Sequence, residues 1–211
     1  MQIQRELLEG YRRFRTGRFA QEAERYRALA KGQRPKTMVI GCADSRVDPA
    51  AIFSAGPGEL FVVRNVAALV HPCEHDGSYH GTSAALEFAV TKLEVSNILV
   101  LGHGQCGGVA AALAAAKGPP VGKFIGPWVD VLSGVRDDLL ARTQSADTSA
   151  CQGELEHLAV QHSLANLMTF PFVASAVSEG RLTLEGAWFS IAEGQLHWLD
   201  RKSGSFEPVS V

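Results

Sequence analysis

Three short, unbroken apolar runs limit what this chain can fold into: Thr37-Met-Val-Ile-Gly41, Leu60-Phe-Val-Val63 and Asn97-Ile-Leu-Val-Leu-Gly102. A strand with one wet face alternates apolar and polar residues, whereas a run apolar throughout must be covered on both faces, as in a parallel sheet. Thr82 to Leu93 reads as a helix opened by a Gly-Thr-Ser cap, and Gly107 to Lys117 as an Ala-rich helix stopped by Gly118-Pro-Pro120. Strands alternating with helices predict right-handed crossovers and an α/β fold, a mostly parallel central sheet flanked by helices. Trp128 to Arg142 and Glu154 to Met168 read as further helices separated by a polar loop at Thr143 to Ser149. Leu182 to Ile191 with Gln195 to Leu199 reads as a C-terminal antiparallel hairpin turned at Glu193-Gly194.

The first and third runs end in residues that bear chemistry: Cys42-Ala-Asp44-Ser-Arg46 after one, His103-Gly-Gln-Cys106 after the other. Ligand sites in open α/β sheets gather at the carboxyl edge of the strands, so segments distant in sequence can meet there. Two cysteines and a histidine fill three positions of a tetrahedral Zn²⁺, and a fourth position left for water or substrate separates a catalytic zinc from a structural one. Two buried cysteines and a strand-end histidine are each common singly; together, inside both segments, they favour a metal. Asp44 and Arg46 follow Cys42 at alternate positions, so on an extended segment the three side chains point the same way and form a buried-type ion pair beside the metal. Two thiolates and a neutral imidazole bring the ion to zero net charge and leave its water less acidic than at a three-histidine site. Asp44 is then expected to orient that water while Arg46 keeps the carboxylate ionised.

In that order and at that spacing, Cys42-Ala-Asp-Ser-Arg46, Arg64-Asn-Val-Ala67 and Gly102-His-Gly-Gln-Cys-Gly-Gly108 resemble the β-class carbonic anhydrases, and the likeness runs from about Gln33 to about Trp198. Lys31-Gly-Gln-Arg-Pro35, Gly58-Glu-Leu-Phe-Val-Val-Arg-Asn65 and Asn166-Leu-Met-Thr-Phe-Pro-Phe172 are similar to the plant-type subgroup. The resemblance implies reversible hydration of carbon dioxide to bicarbonate and a proton by zinc-bound hydroxide. One Zn²⁺ per chain would be held by Cys42, His103 and Cys106, with Asp44 and Arg46 as catalytic residues and Asp44 as a fourth ligand in an alternative closed state. It also implies a substrate pocket of Gln33, Phe61, Val66, Phe88 and the Gly107 N–H, with Gln33 and Phe88 reaching the site from a neighbouring subunit of a homodimer or tetramer. Phe88 departs from the plant pattern, which has tyrosine there, so one polar contact of that pocket is absent or is made by water. The positions matching the regulatory bicarbonate pocket of the other large subgroup are Val39, Arg64 and Phe189, of which only the arginine is retained.

A chain of 211 residues, 46% hydrophobic, can bury one substantial core and falls short of the length that splits, so residues 1–211 are read as a single β-carbonic anhydrase domain. Residues 1–31 form its helical arm, whose apolar Leu7, Leu8, Tyr11, Phe14, Phe19 and Leu29 need something to cover them. Lys and Arg number 20 against 22 Asp and Glu, with no basic run, which argues against a nucleic-acid partner. The first ten residues lack the basic-then-apolar pattern of a signal peptide and no apolar run approaches membrane-spanning length, so a soluble, cytoplasmic protein is expected. Cys73 and Cys151 are read as free thiols of a reducing compartment. His71, Cys73, His75 and His80 crowd one loop without a zinc spacing and are read as surface residues, where a histidine relaying protons to buffer stays open. Two other functions also stay open: hydrolysis of carbon disulfide or carbonyl sulfide on the same fold, and a non-catalytic zinc-binding homologue.

Overall fold

The computed structural model describes residues 2–74, 80–116, 118, 121–143 and 148–210. The three apolar runs become parallel neighbours, β1 (Thr37–Cys42), β2 (Leu60–Asn65) and β3 (Asn97–His103), in a six-stranded sheet of order β2-β1-β3-β4-β5-β6. β4 (Thr183–Ser190) pairs parallel to β3 and antiparallel to β5 (Gln195–Leu199), which pairs antiparallel with β6 (Phe206–Pro208). The C-terminal hairpin therefore also continues the parallel sheet. Alternate β1 residues divide between two apolar clusters, Met38 and Ile40 with Ile98, Val100 and Leu184 on one face, Val39 with Leu99, Leu101 and Ala187 on the other. That division is what an unbroken apolar run requires.

The helices are α1 (Gln2–Thr16), α2 (Arg18–Gln21), α3 (Ala23–Leu29), α4 (Pro49–Ile52), α5 (Gly81–Thr91), α6 (Gly107–Ala114), α7 (Ile125–Val129), α8 (Ser133–Thr143), α9 (Thr148–Leu167) and α10 (Pro171–Ser178). Several sequence expectations need correction. The Gly-Thr-Ser segment is the first turn of α5; the cap is His80, with no side-chain capping bond. The helix expected over Trp128–Arg142 is broken by a 3₁₀ turn at Asp130–Leu132, which lets both Val129 and Leu132 enter the core. The expected loop at Thr143–Ser149 is shorter at both ends, since α8 reaches Thr143 and α9 starts at Thr148; residues 144–147, like Pro119, Pro120 and His75, lie outside the described residues. α10 and β6 were not anticipated.

The arm forms α1 to α3. Phe14, Phe19 and Tyr26 pack on one another with ring centroids 5.0–6.0 Å apart. Arg25 ties the arm to the approach to β2, donating to the Pro57 carbonyl at 3.0 Å and to Glu59 at 2.6 Å. Leu7, Leu8 and Tyr11 stay 70%, 52% and 58% exposed. No helix among the described residues is long and apolar enough to cross a membrane.

Candidate metal centre

Register brings the two ligand segments together. Gly41 lies opposite Leu101, so Cys42 and His103 leave the same edge of adjacent strands, and Cys106 follows as the N-cap of α6. The two sulfurs stand 3.9 Å apart, and one ligand atom from each of Cys42, His103 and Cys106 lies within 4.8 Å of the others, all three residues buried. His103 Nδ1 bonds the Gly104 carbonyl at 2.9 Å, which can only accept, so Nδ1 carries the proton there. Nε2 is buried without a hydrogen-bond partner. A buried nitrogen left unpaired beside two sulfurs is costly unless a cation takes its lone pair, and two S and one N donor suit Zn²⁺. The residues fit that ion. Among the described residues no other trio of His, Cys, Asp or Glu converges in this way.

The thiols perturb each other in opposite directions. The contact with Cys106 lowers the Cys42 thiol against the opposing effect of burial, while the same contact and burial raise Cys106. Burial alone would lower the His103 pKa, but the Cys42 sulfur and the Gly104 carbonyl outweigh it, and the net direction is upward. A divalent cation bound by both thiolates removes the conflict between them.

Asp44 and Arg46 do meet, though not by strand alternation, because β1 ends at Cys42 and residues 45–46 form a turn. Asp44 Oδ1 accepts from the Arg46 backbone N–H and Nε, both at 2.9 Å, and Oδ2 accepts from Nη2 at 2.7 Å. The pair is not buried either, since the Arg46 side chain is 47% exposed. Arg46, first by its side chain and then by its N–H, holds the Asp44 carboxyl far below the ordinary carboxylate range. Arg46 Nη2 also reaches the Gln105 carbonyl at 3.2 Å, so one guanidinium joins both ligand loops. Asp44 stands outside the metal trio, its oxygens turned to Arg46.

The expected pocket residues divide. Val66 and Gly107 flank the centre: Val66 follows β2 at the ligand edge, a Cβ on Gly108 would meet its Cγ1 at 2.7 Å, and Gly107 begins α6 with an N–H that has no partner within the helix. Phe61 and Phe88 stack at 6.0 Å, with Phe88 45% exposed. Gln33 lies with Leu29 and Gly58 in a cleft beside the start of β2, at the opposite end of that strand from Asn65, the partner of Cys42. Within one chain the structure does not bring Gln33 to the metal trio. Of the crowded loop, His71 is half-buried on the Trp128 carbonyl at 2.9 Å, with burial lowering its pKa.

Sequence reasoning missed two supports. Arg64 donates to the Cys42 carbonyl at 2.8 Å and the Asp44 carbonyl at 2.6 Å and pairs with Asp48, fixing the first ligand loop. Glu156 of α9 accepts the Cys106 N–H at 2.9 Å. A periodicity signal existed, for Glu156 sits on the same helix stripe as buried Ala159, Val160 and Ser163.

A family model described as carbonic anhydrase matches residues 37–196. Beta carbonic anhydrase 5, chloroplastic, of Arabidopsis thaliana is 36% identical over 180 residues, which cover 85% of this chain and 59% of the plant protein; the chain thus spans about three fifths of that relative's length. The solved β-carbonic anhydrase CcaA superposes with a TM-score of 0.91 over 100% of this chain and 94% of its own at 28% identity. One of two tetrameric β-carbonic anhydrases from Sordaria macrospora superposes at 0.80 over 94% and 98% of the respective chains, also at 28% identity.

Proposed function

Because this chain belongs to the β-carbonic anhydrase family, we propose that it is a zinc enzyme catalysing the reversible hydration of carbon dioxide to bicarbonate and a proton. The observation that carries this reading is the buried Cys42–His103–Cys106 trio with its unpaired Nε2, beside an intact Asp44–Arg46 pair. When bound there, Zn²⁺ supplies Lewis acidity at an open fourth position and makes water a nucleophile near neutral pH.

The chain's own groups do the rest. Asp44 keeps its charge and is therefore an acceptor only; Oδ2, engaged by one donor, retains an acceptor position for a water O–H. That bond fixes the remaining lone pair of the water toward the substrate. Arg46 prevents the carboxylate from taking the proton and anchors it to the second ligand loop. The Gly107 N–H offers a donor to a substrate oxygen and Val66 an apolar contact suited to uncharged carbon dioxide; the Phe61–Phe88 stack, set opposite Met38 near the start of β2, would extend that wall from a second copy. Gln33 would join Phe88 there from the same second copy, for which its distance from the trio in one chain and the exposed arm both argue. A homodimer, or the tetramer named for the Sordaria proteins, is the assembly proposed. Residues 1–211 are taken as one domain in a reducing, cytoplasmic setting, a reading supported by the convergence of Cys42 and Cys106 with His103 as metal ligands.

The deciding experiment is stopped-flow carbon dioxide hydration run beside sulfide release from carbon disulfide and carbonyl sulfide. Fast, chelator-sensitive hydration without sulfide release is expected; the reverse pattern would reassign the substrate, and neither activity in zinc-loaded protein would make it a non-catalytic homologue. Val39 and Phe189 pack in one apolar cluster and Arg64 is committed to two carbonyls and Asp48, so no regulatory anion pocket is proposed. The bicarbonate response should be hyperbolic.

A further inference from the structure

Cys106 is the ligand whose peptide is held from both sides by another element. Its N–H donates to Glu156 Oε1 at 2.9 Å, and its carbonyl accepts from Gln152 Nε2 at 3.4 Å, the same amide reaching Glu156 Oε1 at 3.1 Å. The other carboxylate oxygen, Oε2, accepts from the indole N–H of Trp188 on β4 at 3.2 Å. Glu156 is 3% exposed. Three neutral donors thus converge on one buried carboxyl group, and each arrives from a different place: the ligand loop, the preceding turn of α9 and a neighbouring strand. Trp188 does more than hold the carboxylate, because its ring lies where a Cβ on Gly104 would stand 3.0 Å from Cζ2. The loop from His103 to Cys106 is therefore laid on a platform made by Trp188 and Glu156.

We infer that Glu156, oriented by Trp188, is the positioning residue that fixes Cys106 for the metal; the inference rests on the zinc reading above. A carboxylate can accept all three donors. A glutamine of the same shape has one acceptor oxygen, so its NH₂ must face either the Cys106 N–H or the Trp188 N–H, and one of these is left opposed by a donor. Glu156→Gln should therefore shift the Cys106 peptide with little change in volume, and Trp188→Phe in the same chain should relieve the clash by removing the indole donor.

The test is zinc release to a chromophoric chelator from the full-length protein, with the thiolate-to-metal charge-transfer band of the cobalt-substituted form as a second readout. Glu156→Gln should release zinc about 10- to 100-fold faster, the range for losing an outer partner of a ligand, and shift the band; the Glu156→Gln/Trp188→Phe protein should recover part of both. A residue that only supports the fold would lower the unfolding midpoint with the band unmoved, and Trp188→Phe would then deepen the loss. Wild-type release rate and band in Glu156→Gln, or an additive double variant, would overturn the inference. If Glu156→Gln does not fold, Gln152→Leu should still speed release to a lesser degree, and an unchanged rate there would also overturn it. Wild-type protein that takes up no zinc would instead sink the metal reading, and this inference with it.

Discussion

The carboxyl edge of β1 and β3 and the N-terminal helical arm belong to one chain but are finished to different degrees. At the sheet edge each ligand is buried, and its peptide or ring is bonded: Cys42 by Arg64, His103 by Gly104, Cys106 by Glu156. On the arm, Leu7, Leu8 and Tyr11 are more than half exposed. A soluble chain seldom leaves so many large apolar side chains in one region without a partner surface. On the function proposed above, the metal ligands meet within one chain, whereas the substrate pocket would be completed by a second copy.

The sharpest way to break this comparison is to remove a ligand. His103→Ala or Cys106→Ala should lose bound zinc and all measurable hydration while the arm still assembles, as metal content and light scattering would report; full zinc and rate in either variant would end the assignment. Next in size is the arm. Replacing Leu7, Tyr11 and Phe14 by Ser should dissociate the assembly, since each buried side chain of this kind is worth about 1.5–3 kcal/mol. Zinc should stay at one per chain while activity falls. A fully active monomer would show the pocket to be complete within one chain. Arg46→Ala should keep zinc and lower the rate about 10- to 100-fold, because Asp44 loses the cation that orients it; unchanged kinetics would make the pair structural only.

The smallest effect is on stability and concerns half-buried histidines, one of which, His157, packs edge-on against Trp188. Burial lowers the pKa of His71, His162 and His157, the last also through the charge of His197. The unfolded chain then binds more protons than the folded one at acid pH, so their stabilisation is complete above about pH 6.5 and is lost as pH falls toward the depressed folded values. His157→Phe, which can keep the stack on Phe206, should narrow the difference between urea midpoints at pH 7 and pH 5. An equal difference in both proteins would remove His157 from the account.

The comparison also explains what could be read from residues alone. β1 and β3 were legible because burial on both faces makes a strand apolar at every position, and the ligands because few residue types bind zinc. β2 carries the same apolar pattern although it is the edge strand and its Val62 is 38% exposed. The turn at Asp44–Arg46 was misread as strand, although an Asp side chain accepting the N–H two residues on is a recognised local alternative to extended backbone. The break at Asp130–Leu132 follows from packing Val129 and Leu132 into one core, which no local pattern encodes. β6 has three residues, too few for a period to show. Glu156 was missed although it shares a helix stripe with Ala159 and Val160, because nothing in the sequence places that stripe against the ligand loop.

The most direct test of the whole account is to titrate zinc into chelator-stripped protein while following carbon dioxide hydration by stopped flow. The rate should rise linearly from the uncatalysed level and stop at one equivalent per chain, with His103→Ala flat throughout. Hydration that ignores added zinc, or zinc-saturated protein no faster than the free ion, would contradict it.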